Sequence, residues 1–253
     1  MNQTLVRLAW SVTPFKTRVK PLARAARDSV VAPWNWLRTA RLCRILAMQY
    51  GHLQSAARFA AVDAGGRPVP WFTYPAIEYV DRLDLEGKSL FEYGCGNSTR
   101  YWGSQAAEVI SVEHEREFYE LIAPQLPANC QLAFRTPAEA YVTALGEYSA
   151  RRGRGFDVIV IDGHSRVRCA EGAANHLAPG GMIILDNADW FPEAGAHLRA
   201  AGLIEVSFTG FAPISDFTST TSIYFHRAFD FPVKPGRVAG IGSIPKPKFA
   251  KVL

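Results

Sequence analysis

The residues best suited to chemistry lie where apolar runs end. In FEYGCGNSTRYW, residues 91–102, an apolar run reaches an acid and continues into Gly94 and Gly96. Glycines let a strand turn tightly into a helix and let the backbone approach a ligand where a Cβ would collide. The next apolar run, VISVE, ends in Glu113, whose carboxylate is placed to accept hydrogen bonds from a ribose diol. Together these features predict a nucleoside-binding crevice in an α/β protein.

Further polar side chains follow two later apolar runs. Asp162 lies in FDVIVIDGHSR, and Asp186 and Asn187 lie in LAPGGMIILDN. Because the carboxyl ends of parallel strands open onto one crevice, these side chains can converge, and their oxygens are ligands that Mg²⁺ prefers. Alternatively, Asp162 binds an amino group of a cofactor while Asp186 and Asn187 cap a turn or a helix. The sequence leaves both interpretations open.

Acid–base chemistry is also expected after the fourth strand. His164 is a candidate base because a neutral imidazole can take a hydroxyl proton near physiological pH, although a loop histidine can equally hydrogen-bond the turn. Arg166 and Arg168 could bind an acidic acceptor, or they could begin a helix and face solvent. His164 and Asp162 are therefore the catalytic candidates.

The residues around these motifs alternate between strand-like and helix-like patterns. This alternation predicts an α/β fold with a doubly wound, mostly parallel sheet. Two late runs, LIEVSFTG and TSTTSIYFH, are joined by a loop with no room for a crossover helix, so they should pair antiparallel. Strands are expected near 88–93, 109–113, 131–135, 156–161 and 182–186, and helices near 34–60, 99–106, 115–126, 137–149, 166–177 and 192–201.

In this order, the motifs resemble the class I S-adenosylmethionine-dependent methyltransferases over about residues 71–226. The resemblance rests on ExGxG in FEYGCGN, the acidic end of VISVE, FDVIVIDG as a fourth strand and LAPGGMIILDN as a fifth. It implies a Rossmann-like seven-stranded sheet with an antiparallel last strand, and S-adenosylmethionine as the cofactor. Methyl transfer to a hydroxyl of a sugar or another small polar metabolite is the expected reaction. The positions that the resemblance assigns to the cofactor are Glu92, Gly94, Gly96, Asn97, Glu113, Thr136, Ala138 and Asp162.

The acids after the fourth and fifth strands also resemble the metal site of catechol O-methyltransferase and of magnesium-dependent sugar O-methyltransferases. This resemblance implies Mg²⁺ bound by Asp162, Asp186 and Asn187. The catechol enzyme has a lysine where this sequence has Ser165, so a catechol substrate is not expected and His164 is the better candidate base.

Two other functions compete with this one. A nicotinamide dinucleotide would require GxGxxG, but Thr99 stands where the third glycine belongs. An NAD-dependent oxidoreductase therefore ranks behind the methyltransferase. The other alternative is a noncatalytic nucleoside-binding module that docks on a membrane or partner through basic ends.

Charge is concentrated at the two ends of the 253-residue chain. Residues 1–58 contain ten Lys or Arg and one acid, and residues 227–253 contain six and one. The ends therefore carry +9 and +5, and residues 59–226 carry −9, since the whole chain carries +5. We expect a basic helical extension at 1–65, the catalytic domain at 66–226 and a basic, Pro/Gly-rich tail at 227–253. The basic ends can dock on an acidic surface or membrane, whereas no motif for specific nucleic-acid binding is present.

The four cysteines are scattered without a CxxC pair, which favours a reducing cytoplasm over a secreted disulfide framework. No apolar run reaches the roughly 18 residues of a membrane span. We therefore expect a cytoplasmic protein.

Aromatic residues flank the predicted crevice. Trp71, Phe72 and Tyr74 precede the first core strand, and Trp190 and Phe191 follow the fifth. These side chains, with the loop 211–218, could wall off an acceptor pocket or could serve packing alone.

Overall fold

The computed structural model describes residues 35–236 and 240–243. The chain divides into two compact units, residues 1–45 and residues 46–253. In the first unit, helix α1 covers 35–44, and all of its residues are exposed. The second unit contains a seven-stranded sheet and its helices.

The strands are β1 (Ser89–Tyr93), β2 (Glu108–Glu113), β3 (Cys130–Phe134), β4 (Phe156–Ile161), β5 (Leu177–Leu185), β6 (Ile204–Phe211) and β7 (Thr218–Phe225). The helices after α1 are α2 (His52–Arg58), α3 (Tyr74–Val80), α4 (Asn97–Gly103), α5 (Arg116–Ile122), α6 (Ala138–Val142), α7 (Ala144–Arg152), α8 (Arg166–Glu171) and α9 (Pro192–Ala200). Ile45–Gln49 forms a π-helical turn, and Ala123–Gln125 and Ala173–His176 form 3₁₀ turns.

The strand order is β3-β2-β1-β4-β5-β7-β6. The first five strands along the sheet are parallel, and β7 runs antiparallel to both β5 and β6. This arrangement confirms the doubly wound, mostly parallel sheet and the antiparallel late pair. The protein has the Rossmann-like methyltransferase fold that the resemblance implied.

The central strand β1 is buried on both of its faces, as a parallel strand covered by helices must be. Its side chains alternate between two hydrophobic clusters. Leu90 packs into one cluster, and Phe91 and Tyr93 pack into the other. Glu92 interrupts this apolar strand just before the glycine turn, so its burial requires polar partners.

The crevice opens where the sheet changes direction. From β1 the chain continues to β2 on one side, whereas β4 pairs with the other side of β1. Loops leaving the carboxyl ends of β1 and β4 therefore diverge, and α/β proteins bind ligands at such a point.

The prediction of one continuous helix over 34–60 is wrong. Residue 34 lies outside the described residues, and the helical segments from 35 onward break between the π-helical turn and α2. Gly51 adopts φ 78° at this break, and a Cβ there would lie 2.4 Å from the carbonyl carbon of Asp63. Close contact between two backbone segments thus overrides the helical pattern.

Several further features differ from the predicted elements. Strand β5 begins at Leu177, five residues before its predicted start at 182, and the helix predicted at 137–149 is divided into α6 and α7. Helix α3 was not predicted, although Pro75 in its first turn favours a helix start. Part of the predicted tail pairs with the core, since Asp84 N donates to Pro232 O and Lys234 N donates to Arg82 O, both at 2.8 Å. Residues 237–239 and 244–253 lie outside the described part. Within the described part, every helix is too short or too polar to cross a membrane.

Candidate active site

The loop after β1 turns on two glycines. Gly94 has φ 100°, and Gly96 has φ 155° with ψ −146°, which residues with a Cβ rarely adopt. A Cβ on Gly94 would lie 3.2 Å from the carbonyl oxygen of Asp162, so the loops after β1 and β4 approach closely. A Cβ on Gly96 would meet only the Phe118 ring among the described residues, at 3.7 Å. The backbone of Gly96 is therefore open to a ligand.

Glu92, near the end of β1, stabilises this glycine turn through buried hydrogen bonds. Its side chain is 1% exposed, and its Oε2 accepts hydrogen bonds from Thr99 Oγ1 at 2.5 Å and from Ser111 Oγ at 2.7 Å. Thr99 Oγ1 in turn accepts a hydrogen bond from Gly96 N at 3.1 Å. One shared hydroxyl therefore connects the buried acid to the glycine turn.

The environment of Glu92 favours its protonated form. Burial raises the pKa of Glu92 to about 7, against the hydrogen bonds from Thr99 and Ser111, which lower it. Oε1 has no hydrogen-bond partner in the described part of the chain. An unpaired buried carboxylate oxygen is costly, and a bound proton reduces that cost.

Glu113 is fixed beside the glycine turn by backbone donors. Its Oε1 accepts hydrogen bonds from the N–H groups of His114 and Glu115, both at 2.8 Å, and its Oε2 accepts one from Cys95 N at 3.2 Å. His114 Nδ1 also lies 2.9 Å from Oε1. Because each carboxylate oxygen can accept two hydrogen bonds, Oε2 retains capacity for a ligand hydroxyl.

The three residues predicted as metal ligands do lie together, but they converge on Arg166. Its Nη2 donates to Asp162 Oδ1 at 2.8 Å and to Asp162 O at 3.2 Å. Its Nη1 donates to Asn187 Oδ1 at 2.6 Å and to Asp186 O at 2.7 Å, and its Nε donates to Gly163 O at 3.1 Å. The guanidinium thus lies between the loops after β4 and β5, and neither a solvent-facing position nor an acceptor clamp describes it.

Asp186 directs its carboxylate to a different partner. Thr221 Oγ1 on β7 donates to Asp186 Oδ1 at 2.6 Å and accepts a hydrogen bond from Thr73 N at 3.0 Å. Burial raises the pKa of Asp186 well above its ordinary value, and the nearby Asp162 charge adds to the rise. Burial also raises the pKa of Asp162 to about 6, although the Arg166 charge opposes that rise.

His164 lies on the opposite side of the loop after β4. Its ring stacks on the ring of His114, with centroids 4.7 Å apart and planes 16° apart, beside Glu113. The Tyr141 ring lies edge-on to both histidines. The structure therefore groups His164 with the carboxylate predicted to bind ribose, while Arg166 occupies the side that faces Asp186.

The remaining predicted cofactor residues lie around the same edge of the sheet. Thr136 and Ala138 are exposed just after β3, next to β2. Asn97 begins α4, but its Nδ2 donates to Ala61 O at 2.8 Å, so this amide ties the glycine turn to the segment before α3.

An exposed aromatic group, which we call the rim, comes from the segment before α3, the loop after β5 and the loop before β7. It comprises Trp71, Trp190 and Phe217, all of them exposed. Trp71 Nε1 donates to Ser215 Oγ at 3.0 Å, and the Trp190 and Phe217 rings lie 6.1 Å apart. Ile214, in the loop 211–218, has φ 69°, which is strained for a β-branched residue. The loop 211–218 thus holds an unfavourable backbone while bonding to Trp71.

Several partners in this site escaped the sequence-based prediction. Thr99 carries a usable signal, because it lies three residues after the Gly96 cap, where a polar side chain can bond back to the N–H of the cap. Ser111, Thr221 and His114 offer no comparable signal, since their contacts join residues far apart in the chain or depend on ring orientation.

The site fits S-adenosylmethionine but does not fit Mg²⁺. An open Gly96 backbone and spare acceptor capacity on Glu113 suit a nucleoside that carries a ribose diol. A divalent cation between Asp162 and Asn187 would have to displace a guanidinium of the same sign. Among the described residues, no three His, Cys, Asp or Glu side chains form a cluster that could hold a metal.

Comparisons with known proteins give similarity in fold. No protein-family model matches the sequence, and a search of curated proteins finds no match either. Among solved structures, precorrin-6y C5,15-methyltransferase from Geobacter metallireducens has 13% identity and a TM-score of 0.45, over 60% of this chain and 88% of that one. The N-methyltransferase NodS from Bradyrhizobium japonicum has 11% identity and a TM-score of 0.41, over 60% and 92%. Spermidine synthase from Thermotoga maritima has 14% identity and a TM-score of 0.42, over 66% and 67%. Similarity at this level does not decide the reaction.

Proposed function

We propose that this chain is an S-adenosylmethionine-dependent methyltransferase that methylates a hydroxyl of a sugar or another small polar metabolite. The observation that carries the proposal is the pairing of an open glycine turn, held by Glu92 through Thr99, with the fixed carboxylate of Glu113 on the neighbouring strand. Such a pair suits a nucleoside whose ribose diol faces an acid and whose tail crosses glycine backbone.

The cofactor assignments follow from these positions. We assign the methionine portion to Gly94 and Gly96 and the ribose hydroxyls to Glu113, while Asp162 serves the acceptor side of the crevice. When bound, S-adenosylmethionine supplies an electrophilic methyl group.

The adenine of the cofactor is assigned to the side of Glu113 that faces the two stacked histidine rings. We assign it to the side of the crevice formed by the stacked His114 and His164 rings, with Thr136 and Ala138 after β3 beside it. Asn97 then acts on the cofactor through the backbone of the glycine turn rather than by direct contact.

The acceptor enters from the opposite side, over Asp186 and the rim. Exposed indole and phenyl faces pack well against the C–H faces of a sugar ring, while buried carboxyl groups offer acceptors to its hydroxyls. We assign the proton of the reacting hydroxyl to Asp162, because its carboxylate adjoins this side. His164, the better candidate base from the sequence, lies on the adenine side of the crevice in this arrangement.

Turnover to S-adenosylhomocysteine in the presence of a panel of sugars, nucleotide sugars and phenols tests this proposal. Asp162→Asn should lower kcat by about 100-fold or more if Asp162 is the general base. His164→Gln should mainly raise the KM for S-adenosylmethionine, and His197→Gln, an exposed histidine on α9, serves as the control. Cofactor binding without turnover on any acceptor would favour the noncatalytic module. A collapse of kcat in His164→Gln alone would return the base to His164.

We also propose that α1 docks on an anionic membrane surface. All of its residues are exposed, including Trp36, Leu37 and Leu42. Residues 35–62 contain Arg38, Arg41, Arg44 and Arg58 and no acid, so this segment carries a net positive charge. Exposed apolar side chains beside arginines suit the interface of a bilayer with acidic headgroups. Cytoplasmic residence, with peripheral membrane contact, is part of this proposal.

A further inference from the structure

We infer that the Arg166 guanidinium takes the place of a divalent cation between β4 and β5. Arg166 is then a positioning residue that orients Asp162, and the site works without a metal. The inference itself rests on the contacts of one side chain. Its consequence for methyl transfer rests on the proposed function.

The first observation is that every donor of this guanidinium is engaged. Arginine has five N–H groups, and Arg166 uses five, at 2.6 to 3.2 Å. Its side chain is only 12% exposed, and the Phe191 ring lies 5.0 Å from the guanidinium carbon. No N–H group is left to bind an acidic acceptor.

The second observation is the kind of atom that surrounds the cation. All five acceptors are oxygens: one carboxylate oxygen of Asp162, one amide oxygen of Asn187 and the carbonyl oxygens of Asp162, Gly163 and Asp186. Hard oxygen sets of this composition bind Mg²⁺ or Ca²⁺ in other proteins. Here the planar fork of one arginine satisfies them, which a point charge on lysine could not reproduce.

The third observation is that both loops adopt unusual backbone to make these contacts. Ser165 has φ 54° just before α8, and Asn187 has φ 50° just after Asp186. Left-handed conformations cost energy in residues other than glycine, although asparagine tolerates them. Arg166 thus stabilises two strained turns simultaneously and holds Asp162 through Oδ1, leaving Oδ2 outside this contact.

Titration with Mn²⁺, followed by electron paramagnetic resonance and by thermal unfolding, tests the inference on wild type and on two arginine variants. Wild type and the control Arg168→Met, which alters a more exposed arginine of the same helix, should show no saturable site. Arg166→Met should gain one Mn²⁺ site, with a rise in melting temperature, and Arg166→Met combined with Asn187→Ala should lose it. One Mn²⁺ bound per wild-type chain and lost in Asp162→Asn would overturn the inference, as would an Arg166→Met variant that folds and binds no Mn²⁺.

Arg166→Lys keeps the test decisive if Arg166→Met does not fold. The lysine retains the charge but cannot reach both loops. The affinity of this variant for S-adenosylhomocysteine should therefore be about tenfold or more below that of wild type. Neither EDTA nor Mg²⁺ should change the wild-type affinity. Wild-type affinity retained in Arg166→Lys would contradict the positioning role. Failure of wild type itself to bind S-adenosylhomocysteine would sink the proposed function, whereas the Mn²⁺ results would stand independently.

Discussion

The glycine turn takes its shape from the residues beneath it as well as from its glycines. Glu92 binds the hydroxyls of Thr99 and Ser111, and Thr99 carries the contact onward to the backbone of Gly96. Each hydroxyl replaces a water that the buried acid has lost. A single buried carboxyl group therefore links strand, turn and helix, and its protonation state bears on the stability of all three.

Replacing Glu92 by glutamine should make stability less dependent on pH. The folded-state pKa is about 7 and the ordinary value is 4.5, so between these values the folded chain holds a proton that the unfolded chain has released. The wild-type free energy of unfolding therefore falls as pH rises from 4.5 towards 7, by roughly 3 kcal/mol at most. Glu92→Gln lacks this loss, while its amide oxygen can still accept from Thr99 and Ser111.

Urea unfolding at pH 5 and pH 8 measures the effect. The free energy of unfolding of Glu92→Gln minus that of wild type should be larger at pH 8 than at pH 5. Glu117→Gln, which removes an exposed carboxylate, should show no such change. A Glu92→Gln variant that loses stability relative to wild type as pH rises would contradict the raised pKa.

Local motifs were the part of the site that the sequence could predict. Glu92, Gly94, Gly96 and Glu113 lie at strand ends, where a few neighbouring residues fix their geometry. Arg166 is four residues after Asp162, but its partner Asn187 lies on another loop, and only the folded sheet brings the two together. The sequence could not distinguish a metal ion from Arg166 there, because an oxygen-rich cluster does not reveal from sequence which cation it binds.

At the scale of elements, the first four strands followed the predictions closely, whereas β5 and the N-terminal helix did not. Buried parallel strands show as short apolar runs between turns, so β1, β2, β3 and β4 lie within a residue of their predicted bounds. The helical pattern over 34–60 is real on both sides of Gly51. Close contact of Gly51 with the backbone of residues 63–64 breaks the helix, and hydrophobic periodicity cannot predict that contact.

Substituting Gly51 by alanine should test that explanation. A Cβ at Gly51 would meet backbone at 2.4 Å, whereas a Cβ at Gly87, with a nearly identical φ of 77°, meets no described atom within 4 Å. Gly87→Ala should therefore lower the free energy of unfolding by about 1 kcal/mol, because the backbone there is left-handed. Gly51→Ala should lower it by about 1–3 kcal/mol more. Equal losses in the two variants, measured by urea unfolding, would show that the close contact is not what breaks the helix.

The α1 proposal makes a prediction about vesicle binding. Replacing Arg38, Arg41 and Arg44 together by glutamine should weaken binding to vesicles of phosphatidylserine and phosphatidylcholine, by about 1 kcal/mol for each charge lost near the surface. Wild-type binding should also weaken as salt rises. A co-sedimentation assay measures both effects, with Arg151→Gln as the control. Equal binding of wild type and the triple variant would contradict docking through α1.

For the whole molecule, the crevice and the excess of basic residues lie in different parts of the chain. The segment 59–226, which carries −9, contains the crevice, and the basic ends lie outside it in sequence. The doubly wound, mostly parallel sheet was predictable because strand-like and helix-like runs alternate along the chain. The rim was harder to predict, since Trp71, Trp190 and Phe217 come from three separate segments that meet only when β5 and β7 pair. Acceptor identity depends on such loops, so it does not follow from the core.

Calorimetric titration with S-adenosylhomocysteine tests the central proposal most directly. Wild type should bind with one site per chain, and Glu113→Ala should bind about 10- to 100-fold more weakly, because it removes charged acceptors for the ribose hydroxyls. Glu115→Ala removes an exposed acid two residues away and should bind as wild type does. A folded wild-type protein that does not bind S-adenosylhomocysteine, or a Glu113→Ala variant with unchanged affinity, would contradict the account.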